Sequence, residues 1–183
     1  MPNWSVRKII EYIRPGHQDT YEAVVRQNYK AIYRFLSYLT RDKHLAEDLT
    51  QETFVSALGN IQQFKGAASA ATWLHRIAYH KFIDSRRWAE RQSNLIKTIQ
   101  SEDKSDQKGT NPLNDLITDE YYGCIYAAMN KLERQEYLAI VMHYIQGLNY
   151  RQMAKILDEP VGTVKWRTSQ ALKNLKNFLT DRG

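Results

Sequence analysis

The chain has 183 residues and a mass of 21.5 kDa, enough for one ordinary domain or two small ones. Its 26 lysines and arginines against 20 aspartates and glutamates give a formal net charge of +6, which favours a polyanionic partner. A single cysteine, Cys124, excludes an intrachain disulfide and a cysteine-based zinc site, and 8 glycines with 4 prolines are too few for the turns of a sandwich or barrel.

No apolar run approaches the ~20 residues that span a bilayer, and Met1-Pro2-Asn3-Trp4 opens no signal-peptide core, so a cytoplasmic chain is expected. The histidines His17, His44, His75, His80 and His143 form no zinc-protease pattern. His80 and Asp84 stand four residues apart, a spacing that two solvated helix residues explain without an ion, and no metal or cofactor is expected.

In chain order, Ile9, Ile10 and Ile13 begin a helical period that Pro15-Gly16 interrupts. Tyr21, Val24, Val25, Tyr29, Ile32, Tyr33 and Leu36 resume it at three- and four-residue steps, and Leu45, Leu49, Thr53, Ala57 and Ile61 form the next stripe. This third run leaves Glu47, Asp48, Gln51 and Glu52 outside as an acidic face. From Phe64 to Trp88 a small-residue loop leads into a helix where aromatics alternate with Arg, Lys and His, as suits stacking on unpaired bases beside phosphates. Ser101 to Pro112 contains no apolar residue and cannot join a core. Residues 1–91 and 113–183 are therefore read as two small helical domains joined by a flexible acidic linker, 92–112.

The second unit carries a helix-turn-helix pattern. A short helix over 150–157 buries Met153, Ile156 and Leu157, with small Ala154 facing a partner helix. Asp158-Glu159-Pro160 interrupts; Asp tolerates a left-handed backbone, and Pro suits a helix's first turn. Val164, ten residues after Ala154, opens a second stripe with Ala171, Leu172, Leu175 and Leu179. Lys165, Trp166, Ser169, Gln170, Lys173 and Lys176 lie off that stripe, with Arg167 at its edge. These residue types suit base edges and phosphates, and Arg167 is the best candidate for a guanine contact.

Three strings together resemble bacterial sigma factors of the extracytoplasmic-function group. The family pattern AED-x-x-Q-E-x-F matches residues 46–54, F-x-G…TWL-x-R-I-A…D-x-x-R matches 64–87, and P-V-G-T-V-K-x-R matches 160–167, in the family's order. The resemblance implies an all-α, two-domain promoter-specificity factor with no catalytic chemistry. It implies core polymerase binding through Glu47, Asp48, Gln51 and Glu52. It further implies capture of the melting −10 element by Lys65, Trp73, Arg76, His80, Lys81, Arg86 and Arg87, and −35 reading by Lys165, Trp166, Arg167, Ser169, Gln170, Lys173 and Lys176. The implied partners are core RNA polymerase, promoter DNA and an anti-sigma factor, which in many relatives is membrane-anchored; no small-molecule substrate is implied. The sequence departs from the family pattern at His80 (usually Asn), in the small-residue loop 67–71, at Asp158 (usually Gly), and at Trp166 and Gln170.

Two other functions fit less of the chain. A free-standing helix-turn-helix regulator explains residues 148–176 but leaves the acidic helix and the Trp73 segment idle. An all-helical enzyme lacks a nucleophile–base pair or a phosphate loop.

Overall fold

A computed structural model describes residues 18–60, 69–99 and 120–180. The stretch containing Ile9, Ile10 and Ile13, the loop containing Lys65 and Ile61, and residues 100–112 of the linker lie outside these. The described residues form α1 (Gln18–Thr40), α2 (Lys43–Gly59), α3 (Ala70–Ile99), α4 (Glu120–Met129), α5 (Arg134–Ile140), α6 (Tyr150–Leu157) and α7 (Val161–Thr180). No strand occurs among them.

The sharp joint between α1 and α2 is made by two residues. Arg41 takes a left-handed backbone (φ 56°), and the Asp42 carboxylate accepts the amides of His44 and Leu45 at 2.9 and 3.1 Å, capping α2. Helix α3 begins where the Ser69 hydroxyl accepts the Thr72 amide at 3.2 Å. It runs to Ile99, beyond residue 91, where the compositional reading ends the first unit. Arg86–Glu90 (3.4 Å) and Arg87–Asp84 (3.8 Å) pair along it before residue 91, and Leu95, Ile96 and Ile99 continue the helical period beyond it. Residues 92–99 thus continue α3 as helix.

Helices α1, α2 and α3 bury Ile32, Phe35, Leu36, Leu49, Phe54, Leu74, Ala78 and Phe82. The second unit buries Met129, Leu138, Val141, Met142, Met153, Ile156, Val164 and Ala171. These two sets are continuous: one apolar cluster runs through both units. Tyr38 of α1 stacks on Tyr126 of α4 with ring centres 6.0 Å apart, and their hydroxyls hydrogen-bond to each other. The Tyr137 hydroxyl donates to the Tyr38 carbonyl at 3.0 Å while the Arg41 guanidinium lies 4.8 Å over the Tyr137 ring. Buried His75 of α3, its Nδ1–H donating to the Ala71 carbonyl at 2.7 Å, packs against Phe35. Burial lowers its pKa below the ordinary imidazole value, against the opposing pull of the Ala71 and Gln146 hydrogen bonds, so the ring is neutral at pH 7.

In the second unit α5 passes directly into one π-helical turn, Val141–Ile145. The wider turn keeps Val141 and Met142 buried and leaves Tyr144 54% exposed. His143 stacks on Tyr150 and meets Tyr144 edge-on, with ring centres 4.6 and 4.8 Å away.

Candidate polymerase and nucleic-acid interfaces

The helix-turn-helix is built by local rules. Asn149 and Gln152 form a reciprocal cap at the start of α6, each side-chain oxygen accepting the other's amide at 3.0 and 2.9 Å. Asp158 ends α6 with a left-handed backbone (φ 60°). Met153, Ile156 and Val164 are fully buried, and Ala154 nearly so. Leu172 and Leu179, which share the expected stripe, stay 40% and 38% exposed because α4, α5 and α6 cover only one side of α7.

Along the open side of α7 stand Lys165, Ser169, Lys173 and Lys176, spaced at helical steps and all exposed. Trp166 beside them is 67% exposed, and Gln170 is half-buried with its amide donating to Asn174 at 3.3 Å. Lys165 also lies over the Tyr150 ring, 5.9 Å from its centre, which joins the start of α6 to this surface. Arg167 is placed differently. Its guanidinium meets the Glu159 carboxylate fork to fork, with N–O distances of 2.6 and 3.2 Å, and its side chain is 12% exposed.

On α3, Arg76, His80, Arg86 and Arg87 are exposed, whereas Trp73 and Lys81 are half-buried. Arg76 pairs with Asp158 across the two units at 3.2 Å, and Lys81 pairs with Glu52 of α2 at 3.4 Å. On α2, Asp48, Gln51 and Glu52 are exposed and Glu47 is half-buried, so four polar side chains share one outward face. The polymerase-binding candidates and the −10 candidates are therefore adjacent surfaces, joined at the Glu52–Lys81 pair.

Several residues in these surfaces lie outside the candidate sets named from the sequence. Trp88 is 62% exposed on α3, one turn from exposed Arg91 and outside the matched pattern. Arg134 of α5 lies 5.9 Å over Phe82 of α3, and burial, then the neighbouring Arg86, lowers its pKa. Burial, then the Glu159 charge, raises the pKa of Tyr79 on α3. The turn Asp158-Glu159 thus faces α3, a long-range neighbourhood that no local pattern encodes. An open polar cleft between the starts of α3 and α6 is lined by Ser69, Thr72, Asn149, Arg151, Gln152 and Lys155. Among the described residues, no three His, Cys, Asp or Glu side chains gather as metal ligands, and no helix is long and apolar enough to cross a membrane.

An acidic helix face, a basic aromatic helix and a helix-turn-helix in one chain define a DNA-binding transcription factor. Residues 24–92 match the family Sigma-70 region 2, and residues 122–175 match Sigma-70, region 4. The ECF RNA polymerase sigma factor SigW of Bacillus subtilis is 30% identical over 184 residues, covering 96% of this chain and 97% of that one. The RNA polymerase sigma factor YlaC of the same organism is 30% identical over 166 residues, covering 90% and 94%. Among solved structures, the fold is similar to the sigma factor RpoE of Bartonella quintana in complex with the anti-sigma factor NepR. That match has a TM-score of 0.70 and 23% identity, covering 88% of this chain and 98% of that one. The fold is also similar to CnrH in complex with the cytosolic domain of CnrY, with a TM-score of 0.66 and 20% identity, covering 97% and 98%.

The chain belongs to the sigma-70 family, in its extracytoplasmic-function group. It is an RNA polymerase sigma factor, which directs transcription initiation to promoters.

Proposed function

We propose that α2 docks on core polymerase through Glu47, Asp48, Gln51 and Glu52, that α3 holds the melting −10 strand, and that α7 reads the −35 duplex. The factor then supplies recognition and no catalytic chemistry, and acts in the bacterial cytoplasm at the nucleoid. The observation that carries this reading is the division of the surface. Acidic groups are gathered on α2, while exposed Arg86, Arg87, Lys165, Lys173 and Lys176 lie on α3 and α7. Lys65, Trp73, Arg76, His80 and Lys81 complete the −10 set, and Trp166, Ser169 and Gln170 the −35 set. A free-standing regulator would have no use for the acidic face of α2.

The packing of the two units belongs to the chain away from its promoter. A compact chain of this length has a radius of gyration of about 16 Å. The names of the two elements put them about 25 base pairs apart, on the order of 80 Å of duplex at ~3.4 Å per step. Both cannot be read until α3 and α6 part, which frees Arg76 from Asp158. An anti-sigma factor is a fitting partner for the closed form, since the solved sigma factor RpoE described above is bound to one.

Replacing Lys81, Arg86 and Arg87 together with Ala tests the −10 assignment. Strand opening, read by permanganate reactivity of unpaired thymines, is expected to fall more than duplex binding, and a pre-melted template should restore part of the transcription. Equal loss on duplex and bubble templates would reduce these residues to general phosphate anchors.

A further inference from the structure

We propose that Tyr150 is a positioning residue that aims Lys165 at one base of the −35 element; this rests on α7 being the −35 reader. Lys165 stands one turn into α7, on the exposed row that continues through Ser169, Lys173 and Lys176. Its ammonium lies over the Tyr150 ring, 5.9 Å from the ring centre. The negative face of an aromatic ring attracts a cation at that range. A lysine is ordinarily a point charge on a flexible stem, which anchors phosphates without choosing among bases. Held by a ring on one side, the ammonium keeps N–H donors free for base acceptors such as O6 and N7 of guanine. No ring lies under Lys173 or Lys176 among the described residues.

The ring is itself fixed. Tyr150 is the first residue of α6 and is half-buried against the core. His143 stacks on it, with ring centres 4.6 Å apart and planes inclined by 20°. The His143 Nδ1–H donates to the Leu148 carbonyl at 2.8 Å, and Tyr144 meets the same imidazole edge-on at 4.8 Å. Leu148 is buried, and its amide donates to the Met142 carbonyl at 3.0 Å.

The brace therefore runs from the packed π-helical turn, through two stacked rings, to the exposed row of α7. A side chain ordered in this way gives up little conformational freedom on meeting DNA, which is the general gain from preorganisation.

The test uses the full-length factor in holoenzyme with a promoter library varied at every −35 position. Lys165→Ala should flatten the preference at one position, which identifies the base that the ammonium meets. Tyr150→Leu keeps an apolar side chain but removes the ring. It should flatten the same position by roughly two- to fivefold, the worth of one exposed cation–π contact. Tyr150→Phe keeps the ring face and should retain the native profile. A trifluorinated phenylalanine at position 150 keeps the shape but withdraws electron density from that face, so it should flatten the position as Tyr150→Leu does. A purely packing role would move thermal stability and treat the two phenylalanines alike.

Equal profiles for the plain and the fluorinated ring would overturn the proposal, a comparison that stands even if Tyr150→Leu folds poorly. A uniform loss from Lys165→Ala would overturn it too, by making Lys165 a phosphate anchor. If Lys165→Ala, Trp166→Ala and Ser169→Ala all leave −35 discrimination intact, the assignment of α7 fails and the proposal falls with it. A Lys165 effect at one position beside a silent ring exchange overturns the Tyr150 role alone.

Discussion

A chain carrying Asp48→Lys together with Glu52→Lys is expected to bind core RNA polymerase roughly a thousandfold more weakly than the native factor. Reversing a charge at a contact costs about 2 kcal/mol or more, and two such losses near 4 kcal/mol correspond to that factor. The fold should survive, because both side chains are exposed while Ala46, Leu49, Thr50 and Phe54 carry the packing of α2. Glu52 also pairs with Lys81 at 3.4 Å, but both partners are substantially solvated, so that pair contributes little to stability. Binding of labelled factor to core enzyme at two salt concentrations measures the effect. Native affinity in a folded double variant would remove α2 from the docking surface.

The second large effect concerns the shared core. Phe35 is fully buried, with its ring centre 5.1 Å from that of His75. Gln146 lies beside both: its amide, oriented to satisfy both atoms, reaches the Ala31 carbonyl and the Phe35 amide at 3.3 Å. Phe35→Ala removes a ring where helices of both units converge and should cost about 3–5 kcal/mol. A chain of this size then loses on the order of 10 °C in melting temperature. Trp88→Ala, at a site 62% exposed, should stay within about 0.5 kcal/mol of the native chain. Thermal unfolding followed by circular dichroism separates the two. Near-equal melting temperatures would contradict the burial of Phe35 in the core.

The elements that sequence reasoning located are those written in local rules. The short helix at 150–157 appears with its expected ends, since Asn149 caps it and Asp158 takes the left-handed turn. The acidic side of α2 follows from the period of Leu45, Leu49 and Thr53. Composition alone misses two features. Residues 92–99 fall with the polar linker when charge and composition set the boundary, yet Leu95, Ile96 and Ile99 keep a helical period and α3 carries on through them. The π-helical turn at Val141–Ile145 has no signature in residue type.

The candidate site divides in the same way. Exposure of Lys165, Trp166, Ser169, Lys173 and Lys176 follows from helical spacing. Spacing also put Arg167 at the stripe's edge, where an arginine serves a base or a neighbour equally well. Its choice of Glu159 is made across a turn, between residues eight apart. The Arg76–Asp158 pair spans the two units. It also gives an occupation to the Asp at a turn position where a glycine would fit without strain.

Promoter-directed initiation is tested most directly by run-off transcription with purified core polymerase and this factor. The template should carry promoters selected from a random library, each then altered at its −35 or its −10 element alone. The account predicts a discrete transcript that requires both proteins and falls sharply when either element is changed. Specific duplex binding by the factor alone, with no transcript from any selected promoter when core polymerase is added, would contradict it.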